Sequence, residues 1–370
     1  MAQCKSDSLI RPEQLSNVML KSRSVPGEVG VDEDLKFPGD VSQSGTNVYG
    51  NVKQLYLLKK SNRKLKTLLS IGGFTASQKG DFINASKTTA HRTRFINSAI
   101  NLMLDWGMDG LDLDWEYPEN TDQSNNYVKL LQELRKALDA KASALGQKYH
   151  YQLTAAVPAG PSNYSKLYLS KMNSYLDFFN LMAYDYSGTW SPVTQHQANL
   201  YHDKTNPTST PFSTEQAVKD YLGKGVTPKK IVLGIPLYGR SFAKTEGLGK
   251  SFKGTGSTLE DGTIPYNQLP KSGAVLSGRS TPGAMTSYDS KTKEMVSMDG
   301  DWSAKLKVNF LKKYGLGGAF FWEASGDKTG SSSLVTVTKK ALGSLDDTNN
   351  QLAYPSSRFQ NMRNGMPSSF

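Results

Sequence analysis

The sequence lacks most of the residues and motifs on which other enzyme classes depend. Of its 370 residues, one is a cysteine, Cys4, and four are histidines, so neither an internal disulfide nor a cysteine-rich metal site is expected. It contains no H-E-x-x-H pair, no complete P-loop, and no G-x-S-x-G or G-x-G-x-x-G turn. These absences leave carboxylates as the expected catalytic groups, with no metal and no cofactor.

Long apolar runs are also missing, and positive charge is in excess. No stretch of about 18 apolar residues occurs, and the start, MAQCKSD, has no apolar h-region, so neither a membrane span nor a signal peptide is expected. The net charge is +11, but lysines and arginines are dispersed. The densest cluster, at 59–66, is typical of a helix end. We therefore expect no nucleic-acid or membrane partner. A monomeric protein is also expected.

The chain does show a regular alternation of short apolar runs and amphipathic segments. Hydrophobic residues make up 37% of it, enough for a large buried core. The predicted strands cover 66–70, 107–116, 151–157, 176–185, 231–236 and 317–322, and the predicted helices 48–60, 92–106, 126–145, 214–222 and 305–314. Alternating strands and helices predict an α/β fold with a parallel sheet. The alternation breaks at 239–302, which predicts a small α+β insertion.

The most informative segment is the predicted strand at 107–116. Strand side chains alternate in direction, so Asp112, Asp114 and Glu116 are expected on one face, and Trp115 on the other, against the helix layer. Carboxylates about 6–7 Å apart raise one another's pKa and tend to share protons. A glutamate that stays protonated near neutral pH is what a general acid needs.

Two other interpretations of this carboxylate row remain open. It could be the solvated face of an exposed strand, although the flanking run at 101–108 is more apolar than an edge strand usually is. It could also bind Ca²⁺, although it lacks the Gly and Asn spacing of a calcium loop. Asp109 lies off the alternation, near the strand start, and a structural hydrogen-bonding role is expected for it.

The segment 109–116, DGLDLDWE, matches every fixed position of the D-G-x-D-x-D-W-E signature of glycoside hydrolase family 18. Four further segments resemble strands of the same family: SIGG at 70–73, MAYDY at 182–186, GIPLYGR at 234–240 and GGAFFWE at 317–323. The resemblance covers about residues 27 to 365, and is strongest to fungal secreted endochitinases with an α+β insertion domain.

The resemblance implies a (β/α)8 barrel of the TIM type, with the active site at the C-terminal ends of the strands. It places the barrel at 16–238 and 303–346 and the insertion domain at 239–302. The remaining segments would be an atypical N-terminus at 1–15 and a C-terminal surface segment at 347–370.

The resemblance also implies a retaining mechanism in which the substrate takes part. Glu116 would protonate the glycosidic oxygen, and the acetamido oxygen of the −1 sugar would attack its own anomeric carbon to give an oxazolinium ion. Asp114 would stabilise that ion and share a proton with Asp112, while Tyr184 would hydrogen-bond the acetamido carbonyl. Water activated by Glu116 would complete the hydrolysis.

The family pattern also implies a set of substrate-binding residues. They are Gly73, Tyr117, Met182, Asp185, Tyr186, Trp190, Tyr238, Arg240 and Trp322. Sugar rings stack their C–H faces on aromatic side chains, but core packing remains the alternative for each aromatic in this set. Trp106 and Trp302 are expected to be structural.

The N-terminal region departs from the family pattern. Residues 1–15 contain no aromatic, so the opening Tyr-Phe-x-Asn-Trp-like strand has no counterpart. The next strand aligns with 16–23 but ends in Lys-Ser-Arg at 21–23, and Phe74 replaces the usual Trp. The first strand is expected to be missing or altered, through a changed or truncated sequence or a true variant. An open sheet edge would follow, with lower stability and reduced or absent activity.

The predicted function is endo-acting hydrolysis of the β-1,4 linkages between N-acetylglucosamine units of chitin. One alternative is a chitin-binding lectin or an inactive truncated form, although lectins on this barrel generally lose the glutamate that Glu116 retains. Another is an endo-β-N-acetylglucosaminidase acting on N-glycans. The expected partners are chitin or its oligomers, and the family resemblance implies an extracellular protein.

Overall fold

A computed structural model describes the backbone of residues 17–22 and, with side chains, residues 33–36, 40, 44–259 and 261–367. The expectation about residues 1–15 lies outside this part. The chain divides into two compact units. The first unit holds the described residues up to 157, with 166–179 and 345–367, and the second unit holds 158–165 and 180–344. No helix in the described part combines the length and apolarity that crossing a membrane requires.

The first unit is built on parallel strands with helices between them. Its strands are β1 (Asn17–Ser22), β2 (Lys66–Gly72), β3 (Gly110–Asp114) and most of β4 (Gln152–Pro158), paired in that order. Its helices are α1 (Gly50–Ser61), α2 (Phe74–Gln78), α3 (Asp81–Ser86), α4 (Thr89–Asp105), α5 (Thr121–Ala144), α7 (Leu169–Asn173) and α11 (Gln360–Arg363). The segment at which the resemblance fades, 16–23, thus contains β1, which pairs with β2 as far as Ser22 and Ile71.

Strand β3 is buried over its whole length, and its two faces have different partners. Leu111 and Leu113 are fully buried on one face, where each contributes about 1.5–3 kcal/mol of hydrophobic stabilisation. Trp115 continues this apolar face. Its ring stacks on Phe82 at 5.4 Å and meets Tyr127 edge-on at 5.2 Å. Trp115 therefore packs against helices α3 and α5, which confirms the sequence prediction for it.

Asp109, just before β3, is fully buried and makes the hydrogen bonds predicted for it. One carboxylate oxygen accepts from the Thr67 amide at 2.8 Å and pairs with Lys59 Nζ at 2.8 Å. The other accepts from the Tyr149 hydroxyl at 2.9 Å and the Gln351 amide at 2.8 Å. Asp109 therefore links α1, β2 and the C-terminal segment.

The C-terminal segment is more than a surface segment. Tyr354, Phe359, Met362 and Met366 are buried, with at most 4% of each exposed. The Tyr354 hydroxyl also donates to the Met108 carbonyl at 3.0 Å. These apolar residues are widely spaced in a polar stretch, so no helix or strand period predicted their burial.

The second unit contains two groups of strands. Strands β6 (Ile231–Pro236) and β12 (Gly318–Trp322) pair in parallel. An antiparallel sheet consists of β7 (Tyr238–Phe242), β8 (Thr263–Pro265), β9 (Val275–Arg279), β10 (Ala284–Asp289) and β11 (Glu294–Met298), in the order β8-β7-β11-β10-β9. Its helices are α6 (Pro161–Tyr164), α8 (Thr214–Gly223), α9 (Asp301–Tyr314) and α10 (Leu334–Leu342). Strand β5 (Phe178–Met182) crosses the boundary between the two units.

Some element ends differ from the sequence predictions. Helix α5 begins five residues earlier than predicted because Asn120 caps it, its Oδ1 accepting from the Gln123 amide at 3.0 Å. Helix α9 begins four residues early, where the Gly300 amide donates to Ser303 Oγ at 3.0 Å. Apolar spacing alone misses such caps, which are polar by nature. Strands β3 and β5 are shorter than predicted.

Candidate active site

The carboxylates of β3 point away from its apolar face and are almost fully buried. Asp112 is 2% exposed and Asp114 is 6% exposed. The Ser70 hydroxyl donates to Asp112 Oδ2 at 2.7 Å, and the Thr154 hydroxyl donates to Oδ1 at 2.6 Å. Because Ser70 lies on β2 and Thr154 on β4, both neighbouring strands fix this carboxylate.

Glu116 lies two residues beyond the end of β3, so the prediction that the strand extends to it is wrong. The ladder stops because the Glu116 amide donates to a side chain, Ser77 Oγ, at 2.8 Å. The Glu116–Tyr117 peptide is cis. Glu116 is half-buried, and the Tyr117 hydroxyl donates to its Oε2 at 3.3 Å. Its carboxyl group is therefore more accessible than those of Asp112 and Asp114.

Tyr127 is fully buried beside the backbone of β3. Its hydroxyl donates to the Leu113 carbonyl at 3.4 Å. Burial, and then the negative charges of Asp112 and Asp114, raise the pKa of this hydroxyl well above its usual value. Tyr127 therefore remains neutral behind the carboxylate strand at any physiological pH.

The Gly-Gly pair at 72–73 lets the end of β2 approach the end of β3 closely. The Gly73 amide donates to the Asp114 carbonyl at 2.7 Å, with φ at 93°. A Cβ on Gly72 would lie 2.3 Å from the Asp114 carbonyl oxygen and 2.4 Å from the Phe82 ring. Gly72 also has φ at 117°, which an L side chain rarely adopts. The glycines of the SIGG segment are therefore needed to hold the carboxylate strand.

We predict that Gly72→Ala lowers both the thermal midpoint and the activity. The new methyl group must push the Asp114 backbone away, which displaces Asp114 and the segment that leads to Glu116. Gly247→Ala is the matched control, since Gly247 has the same φ, 117°, but nothing within 4 Å of the added Cβ. It measures backbone strain alone, about 1–3 kcal/mol. Equal midpoints for the two variants in differential scanning calorimetry would disprove the steric argument.

In the second unit, predicted binding residues meet around Asp185. The Tyr238 hydroxyl donates to Asp185 Oδ1 at 2.8 Å, and Arg240 Nε donates to the same oxygen at 2.9 Å. Arg240 also donates through Nη1 to the Asp261 carbonyl at 2.8 Å. Its guanidinium lies 4.9 Å from the centre of the Trp190 ring. Burial, and then the nearby Asp185 carboxylate, raise the pKa of Tyr238 well above its usual value.

The predicted aromatics of this unit differ in exposure. Trp190 is 60% exposed and Trp322 is 42% exposed, so both can present a ring face to a ligand. Tyr184, half-buried, meets Tyr238 edge-on at 6.3 Å. Tyr186 is only 4% exposed, and its hydroxyl lies 2.9 Å from the Thr214 hydroxyl. These contacts favour core packing for Tyr186.

Met182 and the two tryptophans that were expected to be structural differ in burial. Met182 ends β5 and is half-buried. Trp106 is 4% exposed and donates from Nε1 to Glu33 at 2.5 Å, as expected of a structural residue. Trp302 is 38% exposed, and its ring lies 3.0 Å from where a Cβ on Gly278 would be.

Sequence reasoning missed two residues that support these groups. Ser77 bonds to the Glu116 backbone, and Asp261 holds Arg240. Both are single polar residues in loops or short helices, without periodicity. The sequence around these two residues did not indicate a supporting role, because each bonds to a residue that is distant in the chain.

Buried carboxylates, an accessible glutamate and exposed aromatic rings are typical of enzymes that cleave glycosidic bonds. The chain matches Glycosyl hydrolases family 18 over residues 5–327 and belongs to that family. It is accordingly a glycoside hydrolase, and the expected α/β barrel class with an insertion is confirmed by its solved relatives.

Three relatives illustrate the similarity. Endochitinase 1 of Metarhizium robertsii is 49% identical over 342 residues, which is 92% of this chain and 80% of the relative. Chitinase 1 of Aphanocladium album is 47% identical over 352 residues, 95% of this chain and 83% of the relative. The crystal structure of a mutant family 18 chitinase from Cycas revoluta with (GlcNAc)4 has 27% identity and a TM-score of 0.76, covering 90% of this chain and 94% of that one.

Proposed function

We propose that this protein is an endochitinase that hydrolyses β-1,4 linkages between N-acetylglucosamine units. The observation that carries the proposal is the arrangement at β3, where Asp112 and Asp114 are buried and Glu116 is accessible just beyond them. The fungal relatives named as endochitinases, at 47–49% identity over more than nine tenths of the chain, support it. A lectin has no need of Glu116.

The proposed chemistry assigns one task to each carboxylate. Glu116 donates a proton to the glycosidic oxygen, and the bond from that oxygen to the anomeric carbon breaks, releasing the neighbouring sugar with a free hydroxyl. The substrate's acetamido oxygen takes its place on the anomeric carbon, which forms the oxazolinium ion. Asp114 stabilises the positive charge of that ion, and Asp112, held by Ser70 and Thr154, shares a proton with Asp114. Glu116, now deprotonated, takes a proton from the water that opens the ring.

We further propose that the second unit binds sugar. Tyr184 donates to the acetamido carbonyl in this proposal, and the exposed faces of Trp190 and Trp322 stack against sugar rings. The proposed ligand is chitin or its oligomers, in line with the (GlcNAc)4 bound by the Cycas revoluta chitinase. The domain boundary at 239–302 and the extracellular location stay predictions.

We predict that Trp190→Ala raises the KM for chitin oligomers by about 2- to 12-fold. The reason is that stacking on an aromatic ring contributes about 0.5–1.5 kcal/mol. The fold should be intact, since Trp190 is 60% exposed. Trp302→Ala is the matched control, a second partly exposed tryptophan with no proposed sugar contact. Steady-state kinetics with an unchanged KM for Trp190→Ala, or with an equal rise for both variants, would contradict the assignment.

Product analysis tests the proposal against its closest enzymatic alternative. The full chain is incubated with chitin oligomers and, separately, with a high-mannose glycopeptide, and the products are separated by chromatography. We expect internal cleavage of the oligomers and no release from the glycopeptide. Release from the glycopeptide alone would identify an endo-β-N-acetylglucosaminidase, and binding without cleavage would identify a lectin or an inactive form.

A further inference from the structure

The position of Glu116 is not set by the strand that precedes it. The last ladder position of β3 is Asp114, which is opposite Gly72. Beyond that point the Glu116 amide donates to Ser77 Oγ at 2.8 Å. The Ser77 hydroxyl in turn donates to the Asp114 carbonyl oxygen at 3.5 Å. Beyond the last ladder position, a single side chain therefore bonds to the backbone on both sides of Trp115.

Ser77 is itself held firmly. It lies in α2 and is 8% exposed, and its own amide donates to the Gly73 carbonyl at 2.9 Å. The Gly73 amide donates to the Asp114 carbonyl at 2.7 Å. These bonds close a ring from Asp114 through Gly73 and Ser77 to Glu116. Because each member is tied to the next, the Ser77 hydroxyl has a fixed position relative to β3.

We propose that Ser77 is a positioning residue for the general acid. Its hydroxyl fixes the Glu116 backbone, and so the direction from which the carboxyl group meets the glycosidic oxygen. A catalytic group must be held within about 0.5 Å of its productive geometry, and a displacement of about 1 Å can cost a hundredfold in rate. Ser77 touches no reacting atom, so its removal affects orientation rather than substrate binding. The expected effect on kcat rests on the proposed function, whereas the positioning of the Glu116 backbone by Ser77 does not.

The test compares Ser77→Ala with Ser77→Thr, which keeps the hydroxyl, and with Ser86→Ala. Ser86 is a matched control, a buried serine of α3 whose hydroxyl makes only a 3.5 Å contact to the Ile83 carbonyl. Ser77→Ala should lower kcat by about 10- to 100-fold with little change in KM, and Ser77→Thr should restore most of the loss. Ser86→Ala should retain the kcat of the original chain.

Amide hydrogen exchange of a peptide that covers 115–117 provides a readout independent of activity. Without its acceptor, the Glu116 amide should exchange about 2- to 10-fold faster in Ser77→Ala, but not in Ser77→Thr or Ser86→Ala. Unchanged exchange, or an unchanged kcat in Ser77→Ala, overturns the inference. If the exchange result holds while the original chain cleaves no oligomer, the proposed function fails and the positioning of Glu116 by Ser77 remains.

Discussion

Replacing Glu116 with glutamine should lower kcat on chitin oligomers by about 10²- to 10⁴-fold, the usual contribution of a general acid. Glutamine has nearly the same size but cannot release a proton to the glycosidic oxygen. The Ser77 bond is to the Glu116 backbone, and the Tyr117 hydroxyl can donate to an amide oxygen as it does to a carboxylate. Geometry and substrate binding should therefore survive, and the loss should fall on kcat rather than on KM.

Glu119→Gln is the matched control for that variant. Glu119 is exposed, lies three residues further along, and undergoes the same change from a carboxyl group to an amide. Its backbone amide, which donates to the Gln123 side chain at 2.8 Å, is unaffected by the substitution. Rates are measured with a defined oligomer, and binding of the inactive variant by calorimetry. A Glu116→Gln variant within a few-fold of the original kcat would remove the basis of the proposed mechanism.

Asp109→Ala should cost about 3–5 kcal/mol of folding stability, because it leaves the fully buried Lys59 without its charged partner. It also deprives the Thr67 amide and the Tyr149 hydroxyl of their acceptor. Burial already lowers the pKa of Lys59, and Asp109 opposes that shift. Without Asp109 the pKa falls further, so the folded variant binds fewer protons than its unfolded form over a wider pH range.

The sign of the pH dependence follows from that difference. Stability rises with pH wherever the unfolded state binds more protons, so the deficit of Asp109→Ala should shrink as the pH increases towards the unfolded pKa of lysine. Denaturant titrations followed by tryptophan fluorescence measure it. Asp139→Ala, which breaks the pair between the exposed Asp139 and Arg135, is the control and should cost less than about 1 kcal/mol. Similar losses for the two variants would contradict the account of the buried pair.

The arrangement of side chains on β3 could be predicted from sequence because strand alternation depends only on neighbouring residues. Alternation on β3 placed Asp112 and Asp114 opposite Leu113, and Trp115 against the helices, as the structure confirms. The same rule wrongly predicted that the strand continues to Glu116, although it ends at Asp114. Alternation does not reveal that a serine from another element takes over the backbone bond at that position.

The remaining features depend on contacts between residues far apart in the chain. In the C-terminal segment, Gln351 bonds to Asp109 and Tyr354 bonds to Met108. The bonded residues are 242 and 246 positions apart in the chain. Such long-range pairs cannot be predicted from sequence alone, because they follow no periodic pattern and belong to no motif. The convergence of Tyr238 and Arg240 on Asp185 was likewise invisible, although all three residues were predicted as binding groups from family resemblance.

The most direct test of the central claim is the anomeric form of the first product. Proton NMR is recorded from the moment the full chain meets a chitin oligomer, before mutarotation equalises the anomers. Participation of the acetamido group, with Glu116 as acid and then base, predicts retention, so the β anomer of the new reducing end should appear first. Early appearance of the α anomer, or β-anomer formation that persists in Glu116→Gln at the original rate, would contradict it.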